Sequence, residues 1–577
     1  MNGRLEELVT LLSPSDPLFR IVEAMGRKTS HLFEVALVVD DSSRLLGIIN
    51  YADVLRALAS GKSMDTPAHE AMTVKPVVAL LGMGDREIIQ HVRTQVRVQS
   101  GGSKELTRFV PLVDSSNVVH DIVDVFKLLT RATDRTESVE IFGLGFVGLT
   151  LAVALASRGH HVMGFDNDEE LVRQLLRGEP RIHEPRLGDM MRRLMNDGLL
   201  NFLAEPDDRH RRVVIVSVGT PVRDDGSVAL DALESAIASV GQRLRRGDLV
   251  MLRSTVPVGT TRSVVRETLE RVSGIKAGKD FSLAFTPERT VEGRAMQELL
   301  SLPQIVGGLS NHCADQATTF WQTLTPSIVR VEGLEAAELV KLANNSFRDL
   351  SFGFANAFAL LSDSFNLDAT RILKAANEGY PRNPIPLPGP GVGGYCLTKD
   401  PMLYAANEST SGHARLARIG REVNLAAGRY PIQVLDRFAQ LTGRSLRDLY
   451  VFICGLAFKG QPETNDLRGS VAVEVGRFLI SMGCRVGVFD AVVSPELVKN
   501  QGFEFENLSH GAANCDAMLI LNNHPLNVHD GMIAKLSGRR TLLFDGWSLL
   551  DSSEVERYGG IMYANMGYST PAKDWMI

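Results

Sequence analysis

Ser138-Val139-Glu140-Ile141-Phe142-Gly143-Leu144-Gly145-Phe146-Val147-Gly148 is the stretch that decides the fold. A largely apolar strand runs directly into GxGxxG, and a helical pattern follows through Arg158. In that context the glycines allow a tight turn, close approach of a pyrophosphate, and close packing of helix on strand. The helix N-terminus favours the negative charge. A second strand, Val162-Met163-Gly164-Phe165, ends at Asp166. That carboxylate lies close to the ~20-residue offset at which it binds ribose hydroxyls and repels a 2′-phosphate. The pattern predicts a dinucleotide-binding βαβ unit that prefers NAD to NADP. Its cofactor-binding candidates are Gly143, Gly145, Phe146, Val147, Gly148 and Asp166.

Alternating βαβ patterning continues to about residue 325. Val213–Val218 leads into Gly219-Thr220-Pro221, and Leu249–Leu252 into Ser254-Thr255-Val256-Pro257-Val258-Gly259-Thr260. Strand ends of this kind line a ligand crevice, and equally they are ordinary turn chemistry. Phe281–Phe285 leads into Thr286-Pro287-Glu288-Arg289-Thr290-Val291-Glu292-Gly293. Glu288 and Glu292 share a face if that segment is helical. Paired carboxylates there read as bases or as an acidic helix start. A helical stretch from Leu334 to about Ser362 carries Lys341 and Asn345, four apart. An ammonium beside an amide stabilises a developing oxyanion; two exposed polar residues are the plainer reading. Then comes Pro388-Gly389-Pro390-Gly391-Val392-Gly393-Gly394-Tyr395-Cys396-Leu397-Thr398-Lys399-Asp400. So many glycines let backbone approach a ligand. Cys396 follows them with Lys399 and Asp400 close by, and nearby cations lower a thiol pKa and make a nucleophile. From Asp448 a second α/β block begins with Leu449-Tyr450-Val451-Phe452-Ile453.

The chain has 577 residues, roughly four domains at ~150 residues each. Hydrophobic residues are 44% and charged residues 23%, a globular balance that excludes wholesale disorder. The net charge of -6 offers no basic field for a nucleic-acid backbone. Cys313, Cys396, Cys454, Cys484 and Cys515 form no CxxC pair, so neither a disulfide framework nor a structural zinc site is expected. Met1 to Leu12 lacks a basic-then-apolar signal pattern, and no apolar run approaches ~18 residues. A cytoplasmic protein with no membrane insertion and no metal is the expectation. Residues 1–135 hold two similar segments. One is Val35–Asp40, a turn, Leu45–Ile49, then Asp53-Val54-Leu55 opening a helix. The other is Phe109–Asp114, a turn, Val118-Val119, then Ile122-Val123 running into a helix. Self-similarity of this kind marks a duplicated unit. Residues 131–138 are polar and read as a linker.

Taken in order, GLGFVGL (143–149), VGTP (218–221), STVPVG (254–259), PER (287–289), KLANNSF (341–347), GPGVGGYCLTKD (389–400) and GLAFKG (455–460) resemble the UDP-glucose/GDP-mannose dehydrogenase family. Residues 1–135 resemble a tandem CBS-domain pair. The resemblance implies an α/β protein with two Rossmann-like doubly wound lobes joined by a long central helix, after an N-terminal CBS-pair-like domain. Its expected divisions are 1–135 (regulatory), 136–325 (NAD), 326–440 (central, dimerising, with the cysteine loop) and 441–577 (UDP-sugar). It implies NAD-dependent four-electron oxidation of a UDP-sugar C6 alcohol, with a product that supplies surface polysaccharide. The sugar would be glucose or an N-acetylhexosamine (ManNAc or GlcNAc). Cys396 would form a thiohemiacetal and a thioester, with Lys341 and Asn345 stabilising the oxyanion. Glu292 would act as hydrolytic base, Asp400 would orient water or assist the thiol, and Thr255 would hold water or the nicotinamide side. Gly219, Thr220, Thr255 and Arg468 would join the cofactor contacts. Glu288, Lys341, Asn345, Arg382, Gly393, Phe458 and Lys459 would bind substrate. A homo-oligomer, at least a dimer, is implied, and an adenine nucleotide is a candidate ligand of the N-terminal pair. Asn50 departs from the Ser or Thr that often helps hold its ribose. Tyr395 stands where His or Ser is frequent, Thr398 where Pro is, and Leu171 where a basic residue is. Two other classes remain open: a non-catalytic sugar-nucleotide sensor, and a two-electron dehydrogenase of the 6-phosphogluconate type.

Overall fold

A computed structural model describes residues 9–27, 35–99, 107–125, 128, 137–223, 227–325, 327–382, 384–406, 412, 414–528 and 531–575. Most of the expected linker, 131–136, lies outside these residues.

The strand Ser138–Phe142 is the third of eight in one sheet. The order is Leu200–Leu203, His161–Phe165, Ser138–Phe142, Val213–Val216, Leu249–Leu252, Ser282–Phe285, Gln304–Gly308 and Ile328–Arg330. The first six are parallel and follow the 3-2-1-4-5-6 order of a Rossmann sheet; Gln304–Gly308 alone pairs antiparallel with its predecessor. Val213–Val216, Leu249–Leu252 and Ser282–Phe285 are buried on both faces, as central parallel strands are. Alternate residues feed two cores. Val139, Ile141, Val213 and Ile215 face one side; Phe142, Val214 and Val216 face the other. The helix Phe146–Ala156 is buried from Gly148 to its end, which explains its all-round apolar sequence.

A second sheet repeats the order with Glu504–Phe505, Arg485–Phe489, Tyr450–Cys454, Ala517–Ile520, Thr541–Asp545 and Ile561–Asn565 parallel, closed by antiparallel Tyr568–Ser569. Between the lobes runs the helix Gly333–Asp363, 31 residues and about 47 Å long at 1.5 Å per residue. It packs on Arg415–Gly428 where Gly353 meets Gly420; a Cβ at Gly353 would lie 3.2 Å from the Gly420 carbonyl oxygen.

The N-terminal region is duplicated. Thr10–Leu12 pairs parallel with Val35–Val39, which forms a hairpin with Leu45–Asn50; Ala79–Leu80, Phe109–Val113 and Val119–Asp124 repeat this. Both hairpins carry a register shift at the same place, Val38/Val39 and Leu112/Val113. The halves share a core of Val35, Leu37, Phe109, Val113 and Ile122. Two expectations change. Ile122 and Val123 belong to the strand, which continues to Asp124. The first helix opens at Tyr51, because Asn50 caps it: its side chain accepts from Asp53 N, and Asp53 accepts from Asn50 N.

Candidate active site

The cofactor crevice is built on the glycine turn. Gly143 has φ +88°, and a Cβ there would lie 2.9 Å from the Ser217 carbonyl oxygen. A Cβ at Gly148 would lie 1.8 Å from the Gly143 oxygen, so only glycine lets the helix close on the strand. Nothing stands within 4 Å of a Cβ at Gly145. The turn is therefore open where a pyrophosphate approaches, with Phe146 and Val147 at the helix start behind it. Asp166 Oδ2 accepts from Leu144 N at 2.7 Å and Oδ1 from Asp168 N at 3.0 Å. This fixes the carboxylate at its strand end with acceptor capacity left for ribose hydroxyls. Thr220 Oγ1 donates to the Thr255 carbonyl at 2.5 Å, joining the next two strand-end loops through Gly219, Thr220 and Thr255. These groups fit an NAD molecule.

The central helix supplies a buried polar stripe. Glu338, Lys341, Asn345, Asp349 and Asn356 recur at helical spacing and are all buried. Each except Lys341 grips another segment. Glu338 accepts from Gly259 N (2.6 Å), Thr261 N (2.9 Å) and Thr261 Oγ1 (2.5 Å), holding the end of the Thr255 loop. Asn345 Nδ2 donates to Asp400 Oδ2 at 2.6 Å. Asp349 accepts from Arg421 at 2.7 Å and Asn424 at 2.8 Å. Asn356 donates to Asn424 and accepts from Gly389 N, both at 2.9 Å, which anchors the glycine loop. Among the described residues Lys341 makes no hydrogen bond or ion pair, and its ammonium acts on Cys396 and Glu288 through space. The sequence offered Lys341 and Asn345 as a possible exposed pair; the structure buries both.

Cys396 is the second residue of the helix Tyr395–Ala405 rather than part of the glycine loop. The left-handed Gly394 (φ +88°) turns the chain into that helix. Cys396 is exposed on the cleft, while Asp400, one turn later, is fully buried between Asn345 and Lys399 Nζ (2.6 Å). The expectation of a lowered thiol pKa is corrected. Protein surrounding the sulfur raises it, Asp400 and Glu292 add to that, and Lys341 and Lys399 oppose without prevailing.

The two carboxylates after Phe285 do not share a helical face, since helix begins only at Ala295. Glu288 is buried against Arg253 (Nε at 3.1 Å) and accepts from the amides of Arg289 (2.6 Å) and Thr290 (2.7 Å). Burial alone would raise its pKa; Arg253, the Thr290 amide and Lys341 outweigh it and hold it low. Glu288 is thereby enclosed. Glu292 instead spans the lobes. Its Oε2 accepts from Thr464 Oγ1 at 3.0 Å, its Oε1 lies 3.8 Å from Arg468, and its carbonyl accepts from Lys459 Nζ at 2.9 Å. Burial, then Asp466, raises its pKa against Thr464, Lys459 and Arg468. Burial also lowers that of Lys459. Phe458 packs on the glycine loop; its ring lies 2.7 Å from a Cβ at Gly394, and its Cβ 3.2 Å from one at Gly393. Arg468 is held by both oxygens of Asp466 (Nε–Oδ1 2.9 Å, Nη2–Oδ2 2.6 Å). Arg382 is exposed, 5.7 Å over the Tyr380 ring, and among the described residues it makes no bond to the other candidates. Arg253, Glu338 and Glu184 went unnoticed in the sequence. Glu184 accepts from Gly293 N at 2.8 Å and Met296 N at 3.1 Å, fixing the Glu292 loop. Only Glu338 left a signal, three residues before Lys341 on one face.

Comparison with known proteins agrees with this geometry. Models of the UDP-glucose/GDP-mannose dehydrogenase family match its NAD-binding domain at 137–325, its central domain at 335–426 and its UDP-binding domain at 452–552. A CBS-domain model matches 9–60. UDP-N-acetyl-D-mannosamine dehydrogenase of Pyrococcus horikoshii is 31% identical over 74% of this chain and 99% of that protein. NDP-N-acetyl-D-galactosaminuronic acid dehydrogenase of Ralstonia nicotianae is 32% identical over 69% and 93%. Among solved structures, the Pyrococcus horikoshii UDP-D-ManNAc dehydrogenase superposes with TM-score 0.67 at 29% identity, over 74% of this chain and 99% of that one. A UDP-glucose dehydrogenase from Pyrobaculum islandicum gives 0.65 at 28% identity, over 75% and 98%. With three family domains in order on two Rossmann-like lobes, the chain belongs to the UDP-glucose/GDP-mannose dehydrogenase family and is an NAD-dependent nucleotide-sugar dehydrogenase carrying a CBS domain on its N-terminal side.

Proposed function

We propose that the chain oxidises the C6 alcohol of a UDP-N-acetylhexosamine to the carboxylate, through covalent intermediates on Cys396. The observation that carries this is Cys396 opening on the cleft beside the Asn345–Asp400–Lys399 chain and the buried Lys341, which among the described residues has no hydrogen-bond or ion-pair partner. NAD, when bound, would accept the hydride of each oxidation, alcohol to aldehyde and thiohemiacetal to thioester, and the C6 hydroxyl proton of the first leaves to solvent in the cleft. Cys396 Sγ adds to the aldehyde carbon, and its proton leaves to solvent in the cleft. The former carbonyl oxygen, now anionic, meets the Lys341 ammonium and the Asn345 amide hydrogen that Asp400 does not use. After the second oxidation, water attacks the thioester carbon and Glu292 takes the water's proton. The C–S bond breaks, and Cys396 leaves as thiolate while the carboxylate forms. A raised pKa suits Glu292 to this, because a base works best when its pKa approaches the working pH.

The curated relatives compared above are named for N-acetylhexosamine substrates, which supports the acetamido sugar. The segment Thr398-Lys399-Asp400 and the Pyrobaculum islandicum structure favour UDP-glucose as the second reading. An absorbance screen at saturating NAD with UDP-ManNAc, UDP-GlcNAc, UDP-GalNAc, UDP-glucose and GDP-mannose decides. NADH formed fastest with an acetamido sugar supports the proposal, and a preference for UDP-glucose overturns it. The working unit is a homodimer formed on the central helix. Phe347, Phe354 and Leu361 stand exposed seven residues apart on one face, with Leu416 and Ile419 exposed on the neighbouring helix. Among the described residues no helix is long and apolar enough to cross a membrane.

A further inference from the structure

Tyr395, directly before the nucleophile, touches all three parts of the dehydrogenase. Its hydroxyl lies 3.6 Å from the position of a Gly219 Cβ, in the Gly219-Thr220 turn at a strand end of the NAD lobe. That loop flanks the glycine turn: a Cβ at Gly143 would lie 2.9 Å from both Ser217 O and Val218 N. The Tyr395 ring carries the Arg468 guanidinium at 4.7 Å, a cation that belongs to the UDP lobe. On the central side, Lys399 Nζ stands 5.3 Å from the same ring while pairing with Asp400. One side chain thus joins the cofactor crevice, the cysteine helix and the segment that follows Phe458 and Lys459. A second junction accompanies it. Asn465 donates to the Arg181 carbonyl and accepts from His183 N, both at 3.0 Å, and His183 lies 3.4 Å from Glu463. Segment 463–468 is therefore pinned to the NAD lobe at one end and to Tyr395 at the other.

We infer that Tyr395 is a positioning residue that makes NAD and the UDP-sugar bind cooperatively, by linking Arg468 of one lobe to the Gly219 turn of the other. The inference rests on the UDP-sugar reading above. The approach of the Tyr395 hydroxyl to Gly219 joins the cysteine helix to the NAD lobe. A ligand on the Phe458–Lys459 segment fixes Arg468, Arg468 fixes the ring, and the ring holds the 218–220 loop against the glycine turn. The second ligand then meets a crevice already ordered, and the coupling must be equal in both directions.

The test is calorimetric titration of the full chain with NAD, alone and with saturating UDP, for wild type, Tyr395→Phe and Tyr395→Leu. Phe keeps the ring under Arg468 and loses only the hydroxyl; Leu loses both. UDP is expected to tighten NAD binding by about tenfold in wild type, and NAD to tighten UDP by the same factor. Tyr395→Phe should reduce that factor below about twofold while UDP affinity without NAD is unchanged. In turnover, KM for NAD should rise with kcat nearly constant, a split that loosened packing would not produce. Equal thermal midpoints for wild type and Tyr395→Phe show the fold intact. Full coupling in Tyr395→Phe, or none in wild type although both ligands bind, overturns the inference alone. Failure of UDP to bind wild type overturns the inference and the substrate reading together.

Discussion

Cys396 lies in two opposed fields. The protein around it favours the neutral thiol, while Lys341 and the helix N-terminus favour the thiolate. Alkylation by iodoacetamide should therefore show a pH midpoint above that of an ordinary thiol. Lys341→Met should push it higher still, because the strongest opposing charge is gone; a midpoint that falls would refute this balance. Glu292 is the second residue whose ionisation matters. Its carboxylic acid is favoured by burial and by Asp466, and a base must be deprotonated. Hydrolysis should thus speed up as pH rises through a pKa above the usual carboxylate range. Glu292→Gln should remove that limb and leave an acyl adduct on Cys396, visible by intact mass. Free enzyme alone during its turnover would assign the base elsewhere.

The helix Gly333–Asp363 organises the site as one element, because a single polar stripe reaches four separate segments, two of them helices. Glu338→Ala would leave three donors at Gly259 and Thr261 without an acceptor. We expect a loss of about 2–4 kcal/mol in urea unfolding, and a smaller loss for Glu338→Gln, which keeps an acceptor. Gly391 has φ +76° and its Cβ would stand 2.8 Å from the Asn424 carbonyl oxygen. Gly391→Ala should accordingly displace the cysteine helix and cost at least tenfold in kcat, about 1.4 kcal/mol of barrier. The helix and its Lys341–Asn345 pair were legible from the four-residue spacing. The grip of Glu338, the enclosure of Glu288 by Arg253 and the reach of Tyr395 were not. Each depends on a partner 35 to 176 positions away, which local periodicity does not encode. The direction of the Cys396 shift is hidden for the same reason: sequence displays the neighbouring cations but not the protein around the sulfur or the approach of Glu292.

The two lobes repeat a plan visible at the level of the whole molecule. Gly143-Leu144-Gly145-Phe146-Val147-Gly148 answers to Gly455-Leu456-Ala457-Phe458-Lys459-Gly460, and both sheets share one strand order. Only the first copy suits a dinucleotide. In the second, Asp490 accepts from the amides of Leu456, Ala457, Val492 and Val493, and the helix waits until Val471. The intervening segment supplies Lys459, Thr464 and Arg468 to Glu292. The duplicated N-terminal region contributes none of these groups. A shortened chain starting at Arg135 should keep most of its turnover number and its sugar preference. Inactivity in a shortened chain that circular dichroism shows folded would make that region part of the catalytic unit. Asn50, which stands where a Ser or Thr often helps hold an adenine nucleotide's ribose, is engaged in capping with Asp53, itself buried and paired with Arg56. ATP, ADP and AMP titrated on both chains measure whether any nucleotide response resides there. The central claim, covalent capture that carries one sugar through two oxidations, is tested most directly by stoichiometry. With limiting UDP-sugar and excess NAD, the wild-type protein should form two NADH per sugar and a uronate, and Cys396→Ala, still binding both ligands, should form none of the uronate. One NADH per sugar from the wild type, or two from Cys396→Ala, would contradict the account.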